Sequence, residues 1–240
     1  MERVVYLVEP LFIVKVNCIY CEGEFNTSRV RPSFKKTSKT DSDFGIHYKD
    51  INPEYYVVRV CPFCGLATTE NSSERMTNDQ KGKFEEKVRA NWSMKDYSGE
   101  RNWEEAMQTY KLALVCAQIK DEKVRVVAGI LHHIAWLYRE KEDVEQEKRF
   151  LRFALNAYIE YYETEGISLN NAKLMYLIGE IYRRVGEFNE AVKWFAKVVN
   201  DKRITDAAMI KASRDQWATT REDMIAAQIE LPEDGIIEKK

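Results

Sequence analysis

The sequence predicts an α+β chain that is mostly α: a small N-terminal β module followed by a domain of helical repeats. Three observations predict it. Four cysteines stand in two Cys-x-x-Cys pairs, Cys18–Cys21 and Cys61–Cys64, early in the 240 residues. Before residue 75, β-branched and aromatic residues cluster in short runs separated by turn residues. After residue 75 the pattern is helical, nearly free of proline until Pro232, and it repeats itself.

In the β module each cysteine pair offers two thiolates to one ion. Cys18, Cys21, Cys61 and Cys64 together make the closed tetrahedral set of a structural zinc site. Four thiolates leave no coordination position for water or substrate, and they accept iron as well as zinc. Phe12 to Val16 runs into the first pair, Tyr55 to Val60 runs into the second, and Val4 to Val8 is a third strand-like run. Two strands that each end in a metal-binding turn describe a zinc ribbon. Gly65, directly after the second pair, suits a turn that needs positive φ. A module this small has little core, so Zn2+ would supply much of its folding energy. Residues 1–75 are assigned to it.

In the helical part, Trp103-x2-Ala106-x3-Tyr110-x2-Ala113 recurs as Phe188-x2-Ala191-x3-Phe195-x2-Val198. Val144-x2-Glu147-x3-Leu151-x2-Ala154 is a degenerate copy. Tyr97, Tyr138 and Tyr182 each precede a copy at the same offset, as the end of a partner helix. Small residues let paired helices approach, and the aromatics fill the space between them. The pattern resembles the tetratricopeptide repeat, most closely from Met175 to Val198. Glu147 stands where that family has a small residue, and the copies are spaced more widely than its roughly 34 residues. Asn102 with Glu105 reads as a capping box, and Ser168 as the cap of a helix from Leu169. A last helix, about Thr205 to Gln228, is expected to cover the open end of the stack. The helical domain is assigned to residues 76–230, with a loose tail at 231–240.

Beyond the cysteines, the first third carries Asp41-x-Asp43-Phe44, Tyr48, Asn52-Pro53-x-Tyr55-Tyr56 and Val60-Cys61-Pro62-x-Cys64-Gly65-x-Ala67. This order is similar to a bacterial family, domain of unknown function 2225. The resemblance implies a zinc-ribbon-like N-terminus joined to tetratricopeptide-like helices, and it implies no activity. The first pair lacks the proline often found between that family's cysteines.

Charge and composition narrow the role. Lys and Arg number 37 and Asp and Glu 39, a formal net charge of -2. A generic nucleic-acid or membrane binder would carry a basic excess. Five cysteines are few for an extracellular disulfide scaffold and fit a reducing compartment. Met1 to Val16 lacks the order of a signal peptide, and no apolar run reaches the roughly 18 residues of a membrane span. The expectation is a soluble, cytoplasmic protein with no membrane partner.

Three sets of residues are candidates for function besides the cysteines. The repeat register puts His132, Trp136, Arg139, Tyr176, Glu180, Arg183 and Arg184 along a groove, where aromatics and arginines suit an extended peptide bearing carboxylates. Arg29, Arg31, Lys35, Lys36 and Lys39 form a basic stretch near Phe25 and Phe34, a composition that grips nucleic acid through phosphates and stacking. Asp41, Asp43 and Asn52 would make a polar site near the junction of ribbon and helices, the place for an enzyme's chemistry. His132 and His133 are adjacent on a helix and point apart, so they form no metal face. Cys116 reads as a buried small hydrophobe. No phosphate loop, nucleophile elbow or catalytic triad is legible, and no catalytic residue is assigned. The expected role is a non-enzymatic adaptor or scaffold that binds a protein or peptide partner. A nucleic-acid-associated factor and an enzyme are the rivals.

Overall fold

The structure is a computed structural model that describes residues 8–166 and 171–230. Three two-stranded antiparallel sheets come first. β1 (Leu11–Asn17) pairs with β2 (Glu24–Val30) in a register running from Leu11 opposite Val30 to Asn17 opposite Glu24. β3 (Thr37–Thr40) pairs with β4 (Ile46–Tyr48), and β5 (Arg59–Val60) with β6 (Ala67–Thr68). The first and third hairpins turn through the two cysteine pairs. Seven helices follow among the described residues: α1 (Asn78–Lys87), α2 (Trp103–Ile119), α3 (Val124–Glu140), α4 (Val144–Tyr161), α5 (Ala172–Val185), α6 (Phe188–Asn200) and α7 (Ala207–Ala226). None is long and apolar enough to cross a membrane.

The α+β class and the β1 strand agree with the sequence reading, and the second strand run does not. Asn52 accepts a hydrogen bond from the Glu54 amide and Pro53 presets the first turn, so Pro53–Tyr56 coils into a 3-10 turn. Only Arg59–Val60 remains extended. The Val4 to Val8 run lies, up to residue 7, outside the described residues. So do the Ser168 cap and the 231–240 tail.

The chain forms two compact units. Among the described residues, the first runs to Asp41 and from Ile46 to Leu137, and the second comprises Ser42–Gly45 and the residues from Tyr138 onward. The division at Leu137 replaces the boundary expected at residue 75. The reason is that α1 and α2 share a core with the ribbon. The Phe84 ring of α1 meets Tyr20 edge-on at 4.7 Å. Tyr110 of α2 donates to the Glu54 carbonyl at 2.9 Å, and Arg101, just before α2, donates to the carbonyls of Tyr55 and Val58 at 3.0 and 2.8 Å. Cys116, fully buried, accepts from the Ala67 amide at 3.4 Å. Burial pushes its thiol up to about 11, so it behaves as the small hydrophobe expected.

The helix ends follow local signals. The Asn102–Glu105 capping box opens α2, and Thr77–Gln80 supplies another for α1. Tyr97 is a departure: α1 ends at Lys87, and Tyr97 sits buried in irregular chain, where its OH reaches Gln108.

In the second unit the repeat positions Leu151, Ala154, Ala191, Phe195 and Val198 have no exposed surface. A Cβ placed on Gly179 would lie 2.8 Å from the Phe195 ring, so glycine is what lets α5 lie against α6. Gly186, at φ 90, ends α5 in the left-handed conformation. α7, capped by Asp206, packs Trp217 and Met224 against Tyr176, Val192 and Phe195.

Candidate metal centre

The two cysteine turns are built alike. In the first, the Glu22 amide donates to the Cys18 carbonyl at 2.9 Å and the Cys18 amide to the Gly23 carbonyl at 3.0 Å. In the second, the Gly65 amide donates to the Cys61 carbonyl at 2.9 Å and the Cys61 amide to the Leu66 carbonyl at 2.9 Å. The residue after each second cysteine has positive φ: 61 for Glu22 and 79 for Gly65. Gly65 was legible as such a position. Glu22 was not, because nothing in a glutamate announces the left-handed region; only its place one residue after Cys21, matching Gly65 after Cys64, could have revealed it.

The four sulfurs lie within 4.8 Å of one another. Cys18 Sγ is 3.5 Å from Cys64 Sγ, and Cys21 Sγ is 3.6 Å from Cys61 Sγ. Zinc–sulfur bonds of about 2.3 Å in a tetrahedron have edges of about 3.8 Å, so this donor set fits a four-thiolate metal site. Cys18, Cys61 and Cys64 are buried, and Cys21 is exposed. Hydrogen bonds from the Cys18 and Cys64 thiols and from the Phe63 and Cys64 amides hold the Cys61 thiol well below its usual value. The Cys64 thiol is pushed up by its bonds to Cys18 and Cys61 and by burial. One thiolate is welcome in this cluster and a second is resisted. A divalent cation removes that repulsion, which is the physical reason four clustered sulfurs call for one.

Trp92 braces the second turn. Its Nε1 donates to the Pro62 carbonyl at 2.8 Å, and a Cβ on Gly65 would stand 2.5 Å from its ring. Gly65 is therefore required twice, by backbone conformation and by contact with Trp92.

Sequence comparison bears on the same residues. A family model described as an uncharacterized protein conserved in bacteria, domain of unknown function 2225, matches residues 11–220. The chain belongs to that family. The match takes in all four cysteines and most of the helices, and the family description states no activity. No curated protein matches the chain.

The structure distributes the other candidate residues among separate roles. In the basic stretch, Arg29 pairs with Glu70, Lys36 with Asp50 at 3.8 Å and Lys39 with Asp41 at 2.8 Å. Arg31 donates to the Glu9 carbonyl and covers the Phe12 ring, and Lys35 is exposed. The polar trio does not assemble into one site. Asp41, in the first unit, binds His47 at 2.7 Å as well as Lys39. Asn52 caps the 3-10 turn. Asp43, fully buried, belongs to the second unit.

The groove residues also differ from expectation. In the first unit His132 is buried with its ring 4.5 Å from that of Trp136. Its neighbour His133, read from the sequence only as no part of a metal face, pairs with Glu54 at 3.0 Å and stacks on Tyr110. In the second unit Tyr176 and Glu180 are buried. Arg139 holds Asp43 in a bidentate pair at 2.9 and 2.6 Å and Glu147 at 2.7 Å. Arg183 binds Glu180 and Asp223, and Arg184 binds Glu180 at 2.9 Å and Ser42 Oγ at 3.2 Å. Guanidiniums expected to await a partner's carboxylates hold this chain's own. Glu147, out of place for a tetratricopeptide repeat, has its explanation here as an arginine partner.

Proposed function

We propose that the chain is a non-enzymatic interaction module of the cytoplasm: a ribbon closed by a structural zinc ion, carrying tetratricopeptide-like helices that bind a protein partner. The observation that carries the reading is the thiolate cluster, four sulfurs within 4.8 Å held by two matching turns. Such a set saturates a tetrahedral ion and leaves it no place for substrate, so the metal serves folding. The polar clusters elsewhere are engaged in ion pairs that hold loops and helices, which is the work of a scaffold. The close α5–α6 approach at Gly179 supports the repeat-like packing of the helices.

The test is capture and reconstitution. The tagged chain, expressed in its bacterial host, is expected to retain a protein that rebinds it when both are purified. A chain that retains no protein, and turns over a small molecule through its polar residues, overturns the reading.

A further inference from the structure

The segment Ser42–Gly45 groups with the chain from Tyr138 onward, and side chains of α3 and α5 hold Ser42, Asp43 and Phe44. The carboxylate of Asp43, with no exposed surface, lies in the bidentate grip of Arg139, and Arg184 approaches it to 3.6 Å. The Ser42 carbonyl accepts from the Tyr176 hydroxyl at 2.9 Å, and the Ser42 hydroxyl donates to Glu180 at 2.6 Å. The Phe44 ring lies 5.6 Å from the Tyr176 ring, with the Lys173 ammonium 4.7 Å from its centre. Carboxylate clamp, main-chain contact and aromatic contact are the three elements by which a protein recognises an extended peptide. Phe44 has φ 68 in the loop that joins β3 to β4, so the hairpin turn presents its ring and the Asp43 carboxylate together.

We infer that the second unit carries a binding site for a peptide with a carboxylate followed by an aromatic ring, and that Ser42-Asp43-Phe44 is its occupant in cis. The inference rests on the proposed partner-binding role and names the chemistry of the partner: a segment with an Asp-Phe-like pair that displaces the chain's own. The bidentate fork sets the preference for a carboxylate over an amide, because an amide leaves one guanidinium N–H facing another donor.

The experiment uses the full chain and a labelled peptide of its own sequence, Thr40 to Ile46, followed by fluorescence anisotropy. The wild-type chain, whose site is filled, is expected to bind the peptide at least about tenfold more weakly than a chain carrying Asp43→Ser with Phe44→Ser, a difference of about 1.4 kcal/mol. Peptides with Asp43→Asn or Phe44→Ala should each lose about tenfold on the vacated chain. Phe44→Ala alone keeps the Asp43 charge and carries the same test where the double variant fails to fold. A folded, vacated chain that ignores the peptide, or binds it no better than wild type does, overturns the inference. Capture of a protein partner by such a chain would leave the proposed function standing while this inference fell.

Discussion

At Gly65 two constraints coincide: φ 79 and a Trp92 ring 2.5 Å from where a Cβ would stand. Gly65→Ala should therefore cost the first unit about 1–3 kcal/mol, the usual scale of imposed backbone strain. The effect is expected as a lower melting temperature and faster metal loss to a chelator, and an unchanged melting curve would contradict the Trp92 contact. The residue scale is also where sequence legibility is most uneven. Four cysteines and Gly65 were readable because their chemistry is local: spacing sets the ligands, and a missing Cβ sets the turn. Glu22, Trp92 and the Glu54–His133 pair were not, because their roles depend on contacts made only in the fold. That pair gives a pH prediction. Burial opposes the charge of His133, but the hydrogen bond and charge of Glu54 together with the Gly129 carbonyl outweigh burial and raise its pKa. Its contribution is complete below the unfolded value of about 6.5 and is lost as pH rises through the raised folded value. Burial likewise opposes the Glu54 charge, and the hydrogen bond and charge of His133, with the Tyr48 hydroxyl and Lys35, outweigh it and lower the Glu54 pKa. Its contribution is present above about 4.3 and is lost as pH falls through the lowered value. Denaturant titrations from pH 5 to 8 should show stability falling toward the alkaline side, and His133→Gln should flatten that fall. An equal slope in both proteins would show that the pair contributes nothing.

At the scale of elements, the ion-pair network around α4 and α5 holds a segment that no periodicity could have placed there. Asp43 and Arg139 are distant in sequence, and Asp43-Phe44 reads locally as a loop. β1 was legible because a β-branched run pairs as a strand wherever a partner strand is near. Tyr55–Val60 misled for the opposite reason, since Asn52 and Pro53 upstream overrode the β propensity of the run. The repeat positions were legible because helical period and burial coincide at Leu151, Ala154, Ala191 and Phe195. Removing one partner of a buried pair leaves an uncompensated charge. Asp43→Ala should thus destabilise the second unit by about 3–5 kcal/mol, read from its chemical denaturation midpoint. A loss below 1 kcal/mol would mean that Glu147 alone satisfies Arg139.

At the scale of the molecule, the ribbon's sharing of a core with α1 and α2 changes what metal loss should do. The composition shift near residue 75 marks where strands give way to helices, and sequence alone does not show which helices then pack on the strands. Cys61→Ser is expected to remove hydrogen-exchange protection from α1 and α2 as well as from the hairpins. The second unit, with its own core around Tyr176, Phe195, Trp217 and Met224, should keep its protection. Protection retained in α1 and α2 would restore the boundary at residue 75. Nucleic-acid binding is expected to be weak at physiological salt, since Arg29, Lys36 and Lys39 already face carboxylates. Salt-resistant, submicromolar binding that is lost when those residues become Ala would reverse that reading. The most direct test of the central claim is the metal content of the purified chain, measured by elemental analysis beside native mass spectrometry. The account predicts one zinc per chain, lost on replacing any of Cys18, Cys21, Cys61 or Cys64 with Ser. A metal-free chain whose first unit is fully folded would contradict it.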